Sequence, residues 1–399
     1  MNKPLNTVLV GAGGYGQTYV ALLLNGDDEM KKYLRFYAVV DPYAKNSGFY
    51  DRFKDIVPVY DKLEDFFAEH SADLTIISSP IYLHFNQCMT ALDNGSHVLC
   101  EKPLVPTLEQ FDLLEKKIQS SGKTISVGFQ WCYSEVMLGL KRRILAGEFG
   151  KPVCLKSFVS WPRNWQYYAR GGGWAGKVKT PDGEPVHDSV ASNATAHYIQ
   201  NMLFLLGDTI EESADLSDIS VECYRANNIE SFDTIAFSGK ANGADIFYAA
   251  SHVVNYTIDP VMAYEFEKAS IFVNVFDQDH KCTVHCRDGI VEHLGSAIAD
   301  GGKDKLLYTA QSILGERDFI CTAKTVKPIT ALIDAVFSKV PFNLFPDDFV
   351  IKDTKTELTY VKNLHLDLAH CFSLGKLPSE LELPWAKPAV TVLFYDARK

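Results

Sequence analysis

Short apolar segments alternate with segments of helical periodicity over the first third of the chain. The apolar segments are TVLV, FYAVV, LTIIS, HVLC and TISVG. The segments between them carry apolar residues three and four positions apart: TYVALLL, LEDFFAEH, HFNQCMTALDN and TLEQFDLLEKKIQ. This alternation is typical of βαβ units in a parallel sheet. We therefore predict an α/β domain with a parallel sheet over residues 1–128.

The pattern changes after Gly128. A helical stretch, SEVMLGLKRRILAGEFG, and a strand-like PVCLKSFVSW lead into a long polar segment, residues 161–186, rich in aromatic residues and glycine. After the helix-like ATAHYIQNMLFLLG come the strand candidates DISVECYR, DTIAFSG, DIFYAAS, YEFEKASIFVNVF and CTVHC. Their short connections predict a large, mainly antiparallel sheet. PITALIDAVFS and ELTYVKNLHLDLAHCFSLG predict helices on one face of it, in a second domain over residues 129–399.

Composition excludes several classes of partner. Acidic residues outnumber basic ones by 50 to 39, which gives a formal charge of -11 and disfavours nucleic acid. No stretch approaches the roughly 18 apolar residues of a membrane span, and the first residues lack the pattern of an export signal. We expect a soluble, cytoplasmic protein without a membrane partner.

Nine cysteines without regular spacing indicate reduced thiols rather than disulfides. His280, Cys282, His285 and Cys286 form one cluster of metal-ligand type. In a strand, however, Cys282 and Cys286 point to one face and His285 to the other, and no second ligand pair lies nearby. We expect no metal site.

A glycine motif follows the first predicted strand. Gly11, Gly13 and Gly16 in VLVGAGGYGQ have the G-x-G-x-x-G spacing and open a helix. The glycines permit a tight turn, approach of the backbone to a pyrophosphate, and close packing of helix on strand. This context predicts a bound dinucleotide and makes residues 1–128 a Rossmann domain.

The second predicted strand ends at Asp41, 25 residues after Gly16. An acidic side chain there accepts hydrogen bonds from the adenosine ribose and repels a 2'-phosphate, which favours NAD over NADP. The alternative is a simple turn residue before Pro42, so NADP is not excluded.

The segment SSPIYLHFNQCMTALDNGSHVLCEKPL joins a strand, a helix and the tripeptide Glu101-Lys102-Pro103. Together with the glycine motif, it resembles the glucose-fructose oxidoreductase and inositol dehydrogenase family, often written Gfo/Idh/MocA. The resemblance implies a homodimer or homotetramer assembled through the C-terminal sheet, and a cis peptide bond between Lys102 and Pro103. It implies a cofactor site formed by Gly11, Gly13, Gly14, Tyr15, Gly16, Asp41, Ser79, Pro80, His84, Glu101, Lys102 and Gln130.

The resemblance also implies the catalytic residues. Lys102 would lie beside the nicotinamide and hydrogen-bond the reacting hydroxyl, where a cation stabilises alkoxide character. His197 would move the proton, for which a near-neutral pKa is suited. The position four residues before it is usually aspartate in inositol dehydrogenase-like members, and here it is Asn193, which can orient substrate but cannot accept a proton.

Flat apolar faces and polar donors in the long polar segment suit a sugar ring with its hydroxyls or a carboxylate. The predicted substrate-binding residues are Lys102, Trp161, Arg163, Tyr168, Trp174, Asp188, Asn193 and His197. We predict an NAD(P)-dependent oxidoreductase of a small sugar, inositol or related polyol. Two alternatives remain open at this point: a glycoside hydrolase that uses bound NAD in a redox-assisted cleavage, and a non-catalytic, dinucleotide-binding sugar sensor.

Overall fold

The computed structural model describes residues 3–170, 172–274, 281–298 and 302–394. The chain divides into two compact units. The first consists of Met1–Ser134 with Ala299–Thr330, and the second of Glu135–Ile298 with Ala331–Lys399. The predicted first domain, residues 1–128, lacks the later segment Ala299–Thr330, which belongs to the first unit.

The first unit contains a six-stranded sheet in which every pair of neighbouring strands is parallel. The strand order is β3-β2-β1-β4-β5-β6, the doubly wound arrangement of a Rossmann fold. The strands are β1 (Leu5–Val10), β2 (Leu34–Val40), β3 (Val59–Tyr60), β4 (Leu74–Ile77), β5 (His97–Cys100) and β6 (Ile125–Val127). Five of them coincide with the predicted apolar segments, whereas the two-residue β3 is too short to leave a pattern.

The second unit contains a larger sheet in the order β14-β13-β12-β11-β7-β10-β9-β8-β15, with β18 also paired to β8. Its pairs are antiparallel except β10 with β7 and β15 with β8. β16 and β17 form a separate hairpin. The strands are β7 (Pro152–Ser160), β8 (Leu216–Arg225), β9 (Thr234–Ala241), β10 (Ala244–Ser251), β11 (Ile258–Phe266), β12 (Ala269–Val273), β13 (Lys281–Cys286), β14 (Val291–Ser296), β15 (Phe342–Leu344), β16 (Val350–Asp353), β17 (Leu358–Val361) and β18 (Val390–Val392).

Some helices begin and end at clear sequence signals. Thr107, for example, caps the longest helix of the first unit by accepting a hydrogen bond from the backbone of Gln110, and Gly122 ends that helix in a left-handed conformation. The predicted helix ELTYVKNLHLDLAHCFSLG, in contrast, was wrong in its first part, because Leu358–Val361 form a strand and the helix begins only at Leu364. The helices are α1 (Gly16–Asn25), α2 (Asp28–Tyr33), α3 (Tyr50–Phe53), α4 (Leu63–Glu69), α5 (His84–Asp93), α6 (Leu108–Ser121), α7 (Glu135–Leu145), α8 (Trp165–Ala169), α9 (Ala196–Leu205), α10 (Lys303–Ile313), α11 (Ala323–Lys339) and α12 (Leu364–Leu374).

Helix α10 explains why a late segment belongs to the first unit. Leu306, Leu307 and Ala310 are buried in one apolar cluster with Leu9 of β1 and Leu99 of β5. Burying such side chains removes apolar surface from water, at roughly 25 cal/mol per Å². A partner so distant in sequence is not visible in local periodicity, and the sequence pattern did not indicate α10.

Helical cover extends to both faces of the larger sheet. Successive side chains of a strand point to opposite faces. Phe247 of β10 packs in a cluster with Leu364 and Leu368 of α12, while the hydroxyl of the next residue, Tyr248, donates to Thr195 Oγ1 at 2.6 Å, just before α9. The sequence patterns predicted helices on only one face of this sheet. The segment ATAHYIQNMLFLLG, which forms α9, was predicted to be helical but was not assigned to a face.

Candidate functional site

The predicted cofactor residues of the first unit follow strands of one parallel sheet. Gly11 follows β1, Asp41 follows β2, Ser79 lies after β4, Lys102 after β5 and Gln130 after β6. Carboxyl ends of parallel strands meet at the same edge of a sheet, where open α/β folds bind ligands. The sheet therefore gathers residues that are widely separated in sequence.

Two glycines of the motif cannot carry a side chain. Gly11 has φ of +85°, and a Cβ atom there would lie 2.8 Å from the carbonyl carbon of Ser78. A Cβ atom on Gly16 would overlap the carbonyl oxygen of Gly11. Both glycines are thus required for the close approach of β1, α1 and the segment after β4, as the motif predicts.

Gly13 differs, because a Cβ atom there would meet no atom of the described residues within 4 Å. The space in front of this glycine is open, and no side chain caps the N-terminus of α1. The first amides of an α-helix lack partners within the helix and attract anions such as phosphate. These features fit the pyrophosphate of a dinucleotide.

The carboxylate of Asp41 lies against the glycine loop. Its Oδ2 accepts a hydrogen bond from the backbone N–H of Ala12 at 2.8 Å, and its Oδ1 accepts one from Tyr43 N at 2.8 Å. Each carboxylate oxygen can accept more than one hydrogen bond, so capacity remains for the hydroxyls of a ribose.

His84 connects two loops at the carboxyl edge of the parallel sheet. The side chain is buried, with Nε2 2.9 Å from the carbonyl oxygen of Ser79 and Nδ1 2.9 Å from that of Pro103. Burial lowers the pKa of His84, and a neutral ring donates to one of these carbonyls at a time. The Ser79 hydroxyl donates to Gln87 Oε1 at 2.5 Å, which holds the segment that includes Pro80.

Glu101 is occupied by partners inside the protein. Its Oε1 accepts hydrogen bonds from the Tyr19 hydroxyl, at 2.6 Å, and from the fully buried ammonium of Lys305 in α10. Although burial opposes ionisation, Lys305 and Tyr19 lower the pKa of Glu101. The next residue, Lys102, is half-buried, and its peptide bond to Pro103 is cis, which confirms the expectation.

Lys305 also contacts the glycine loop. Its Nζ lies 4.5 Å from the ring centre of Tyr15 and 3.3 Å from the Tyr15 hydroxyl. The Tyr15 hydroxyl in turn lies 3.5 Å from Gln130 Oε1. Lys305 therefore connects Glu101 to a residue of the glycine motif, a role that the sequence analysis missed because no motif marks this lysine.

In the second unit, Asn193 and His197 lie on separate helical segments. Residues Val190–Ala194 form a π-helix, capped by reciprocal hydrogen bonds between Ser189 and Ser192, and α9 begins after Thr195. The relation expected for a continuous α-helix, with both side chains one turn apart on one face, therefore does not apply. His197 is half-buried in the first turn of α9.

Asp188 sets the orientation of Asn193. The buried Asp188 accepts a hydrogen bond from Asn193 Nδ2 at 2.9 Å on one oxygen and from Gly176 N at 2.6 Å on the other. An amide that donates to a carboxylate has its nitrogen directed at it, which leaves Asn193 Oδ1 on the other side.

The aromatic residues of segment 161–174 form a connected group. Trp161 lies edge-on to Tyr198, with ring centres 5.9 Å apart, and its Nε1 donates to Asp259 at 3.0 Å. The Tyr168 hydroxyl is buried without a hydrogen-bond partner, and burial raises its pKa well above the usual value. The ring centre of Trp174 lies 5.6 Å from the guanidinium carbon of Arg170.

Tyr167 and His252 belong to the same group, although the sequence analysis did not assign them to the site. Their ring centres are 5.6 Å apart. His252 is buried, its Nδ1 lies 2.9 Å from the carbonyl oxygen of Trp161, and burial together with the charge of Arg163 lowers its pKa to about 3. The aromatic run from Trp161 to Tyr168 is a signal for Tyr167, whereas nothing local marks His252.

The described residues contain no group of three or more His, Cys, Asp or Glu side chains that could hold a metal ion. Of the cysteine and histidine cluster considered above, His280 lies outside the described residues, Cys282 is buried in β13, and His285 and Cys286 are half-buried. Among the described helices, none has the length and apolar character needed to cross a membrane.

Residues 5–129 match the sequence model of a family described as "Oxidoreductase family, NAD-binding Rossmann fold", abbreviated GFO_IDH_MocA. This part of the chain is similar to the Gfo/Idh/MocA family. The match confirms the resemblance carried by the glycine motif and the Glu101-Lys102-Pro103 tripeptide. It covers the six-stranded sheet and every predicted cofactor residue except Gln130.

Two inositol dehydrogenases are among the curated relatives of this chain. A scyllo-inositol 2-dehydrogenase (NAD(+)) from Bacillus subtilis is 35% identical over 100 residues, which cover 25% of this chain and 28% of the relative. An inositol 2-dehydrogenase from Streptomyces avermitilis is 27% identical over 156 residues, covering 39% of this chain and 44% of the relative. The chain thus spans less than half the length of each of these relatives.

A solved structure of the WlbA dehydrogenase from Bordetella pertussis, in complex with NADH and UDP-GlcNAcA, is similar to this chain with a TM-score of 0.68. The two are 19% identical, and the alignment covers 84% of this chain and 96% of the other. At this identity the similarity concerns the fold. It confirms the predicted class, a Rossmann sheet followed by a large, mainly antiparallel sheet.

Proposed function

We propose that this protein is a dehydrogenase that transfers a hydride between NAD and a hydroxyl-bearing carbon of a sugar, inositol or related polyol. The observation that carries the proposal is the edge of the parallel sheet. There, the open space before Gly13, the carboxylate of Asp41 and the side chain of Lys102 follow strands of one sheet. The names of the inositol dehydrogenase relatives support the substrate class.

The cofactor assigned by the proposal is NAD rather than NADP. Asp41 is anchored to the glycine loop through Ala12, which keeps its negative charge where the ribose of a dinucleotide is expected. A 2'-phosphate would meet this charge and be repelled. Gly11, Gly13, Gly14, Gly16 and the N-terminus of α1 would hold the pyrophosphate.

Other predicted cofactor residues receive supporting roles. His84 fixes the loops that contain Ser79, Pro80 and Pro103, and Glu101 is held by Lys305 and Tyr19. We assign positioning to His84 and Glu101, since both use their polar atoms within the protein. Tyr15 and Gln130 keep the assignment of cofactor contact.

In the proposed reaction, bound NAD supplies the hydride acceptor or donor. Lys102 hydrogen-bonds the reacting oxygen and stabilises the negative charge that develops on it. His197 takes up or returns the hydroxyl proton. Asn193 orients substrate through Oδ1, since its Nδ2 donates to Asp188 and an amide accepts no proton near neutral pH. Trp161, Arg163, Tyr168 and Trp174 contact substrate, and Asp188 positions Asn193.

The two alternatives raised by the sequence are not favoured by the comparisons. The curated relatives described above are named as dehydrogenases, and the similar solved structure is also a dehydrogenase. None of these names denotes a glycosidase or a sensor.

The experiment that tests the proposal follows NADH formation with polyols, inositols, aldoses and sugar acids, each with NAD and with NADP. We expect substrate-dependent reduction of NAD that falls roughly 10²-fold or more in Lys102→Met. Lys116→Met, an exposed lysine of α6, is the matched control and should retain activity. Release of product from glycosides without any net reduction of added NAD would instead indicate the redox-assisted hydrolase.

The family resemblance further supports a homodimer or homotetramer assembled through the C-terminal sheet. Light scattering of the purified protein tests this part of the proposal. A monomeric mass at micromolar concentration would contradict it.

A further inference from the structure

Two arginines of the second unit are held against one aromatic ring. The guanidinium carbon of Arg170 lies 3.4 Å from the ring centre of Tyr167, and that of Arg163 lies 5.0 Å from the same point. Guanidinium groups stack well on aromatic faces, which orients them without using their N–H donors. The stacking leaves donors of both groups for a further partner.

Within the described ranges, no carboxylate forms an ion pair with either guanidinium. Arg143, by contrast, contacts both Glu148 and Glu292, at 2.5 and 2.8 Å. Arg287 pairs with Glu265 at 2.9 Å. A chain with a formal charge of -11 has carboxylates in excess, so two neighbouring half-buried arginines without one are notable for electrostatic reasons. Two like charges close together raise the free energy of the site unless an anion binds.

The backbone holds Arg163 rigidly. Its N–H donates to the carbonyl oxygen of His252 at 3.1 Å, and Trp161 N donates to Ser251 O at 3.0 Å, which continues the pairing of β7 with β10. The Arg163 Nε atom is buried and has no hydrogen-bond partner. A buried donor without a partner costs free energy that a ligand acceptor would recover.

A cavity of about 550 Å³ opens beside Arg163 and Tyr167, while Arg170 lies over the Tyr167 ring and is not part of the lining. Arg163, Asn164, Gln166, Tyr167 and Thr356 contribute to its lining. Its volume falls in the range of roughly 300–1,000 Å³ that is usual for small-molecule sites. Glu357 lies next to Thr356 in sequence, but its carboxylate accepts a hydrogen bond from Gln166 and does not line the cavity.

We propose that Arg163 and Arg170 bind an anionic group of the substrate, so that the protein acts on a sugar-derived alcohol carrying a carboxylate or a phosphate rather than on a neutral polyol. This inference rests on the proposed dehydrogenase function. The guanidinium groups form charge-assisted hydrogen bonds to the oxyanion, and Tyr167 provides the flat surface that aligns them. A neutral sugar of the same size lacks the oxyanion and leaves both charges without a partner.

The test compares three probes of one ring type: D-glucose, D-glucuronate and D-glucose 6-phosphate. We expect kcat/KM, or the association constant, to be at least about tenfold higher for one of the two anions than for glucose. The anion that is preferred identifies the group, carboxylate or phosphate. Added sodium chloride should weaken the preference, because exposed charge interactions are screened.

Variants assign the preference to the two arginines. Arg163→Gln and Arg170→Gln should each reduce it, and the double variant should abolish it. Arg142→Gln on α7, whose nearest carboxylate oxygen is 4.0 Å away, is the matched control. Arg163→Lys serves if Arg163→Gln does not fold, because it keeps the charge while losing the planar fork, and it should give an intermediate preference.

Binding is measured by calorimetry as well as turnover, so that the two proposals fail separately. Anion binding that requires both arginines, without turnover of any probe, would support the anion-binding role of Arg163 and Arg170 and contradict a dehydrogenase reaction on these probes. Turnover or binding that is equal for glucose and the two anions, and unchanged in the double variant, would overturn this inference and leave the dehydrogenase standing.

Discussion

Lys305 donates a hydrogen bond to the carboxylate of Glu101, although the two residues are 204 positions apart in the chain. Glu101 immediately precedes Lys102, the lysine proposed to contact the reacting hydroxyl. Because the Lys305 ammonium also lies against Tyr15 of the glycine loop, one buried cation stabilises both parts of the proposed cofactor site.

Replacement of Lys305 by methionine should destabilise the protein by about 3–5 kcal/mol. The reason is that the buried carboxylate of Glu101 would lose its counter-charge. Urea unfolding measures the change. The double variant Glu101→Gln with Lys305→Met should be more stable than Lys305→Met alone, because its buried polar group is uncharged.

Lys303→Met, on the same helix, is the control for Lys305→Met. Lys303 pairs with Asp27, whose side chain is 55% exposed. Since solvent screens this pair, the loss of stability should be much smaller than that caused by Lys305→Met. Equal changes in the free energy of unfolding would show that the buried pair contributes no more to stability than the exposed pair.

Alanine at Gly13 and at Gly16 should affect different properties. In Gly16→Ala the new Cβ would overlap the carbonyl of Gly11, so we expect lower stability together with loss of NAD binding. In Gly13→Ala the Cβ meets no atom of the described residues, so the melting temperature should stay close to that of the parent. Its dissociation constant for NAD should nevertheless rise at least about tenfold, since the methyl group enters the space assigned to the pyrophosphate.

Titration of NAD against both glycine variants, with thermal unfolding in parallel, checks these expectations. Unchanged NAD affinity in a stable Gly13→Ala protein would place the pyrophosphate elsewhere.

Asp41→Asn should shift cofactor use toward NADP. The substitution removes the charge that repels a 2'-phosphate while retaining one oxygen that can accept from Ala12 N. We expect the ratio of kcat/KM for NAD to that for NADP to fall at least about tenfold, equivalent to about 1.4 kcal/mol. Asp65→Asn, an exposed aspartate of α4, should leave the ratio unchanged. A parent enzyme that already prefers NADP would contradict the role given to Asp41.

His252 should make the folding stability depend on pH. Its pKa is lowered by burial and by Arg163 to about 3, whereas an unfolded histidine has a pKa of about 6.5. Between these values the unfolded chain binds a proton that the folded chain does not. Stability is therefore lost as the pH falls from about 6.5 toward about 3, at up to about 1.4 kcal/mol per pH unit.

His252→Asn tests this dependence, because the asparagine amide can still donate to Trp161 O but does not titrate. Unfolding free energies of parent and variant at about pH 7 and about pH 5 should differ in slope, with the flatter dependence in the variant. The difference between the two proteins is the readout, since His97, with a pKa lowered to about 4 by burial and Lys123, adds a slope of the same sign to both. Equal slopes for parent and variant would show that His252 does not cause the pH dependence of the unfolding free energy.

Local signals predicted much of the first unit. Five apolar segments gave five of its strands, and the spacing of Gly11, Gly13 and Gly16 placed the loop that opens α1. These features depend on backbone conformation and burial within a few residues, which sequence periodicity records. Short elements such as β3 escaped, because two residues make no periodic pattern.

The sequence by itself determined the class of fold and the glycine loop, since both depend on residue type and near neighbours. Through the family resemblance it also pointed to Lys102, His197 and Asn193 as candidates. Only the tertiary structure decided that Lys305 neutralises Glu101 and that His84 connects two loops. It also decided that Arg163 and Arg170 both lie against Tyr167, with no ion pair to a carboxylate of the described residues. The π-helix Val190–Ala194, which contains Asn193 and ends before His197, was likewise visible only in the structure. Ion pairs and buried hydrogen bonds join residues through space, and their strength depends on burial, which packing sets after distant segments meet.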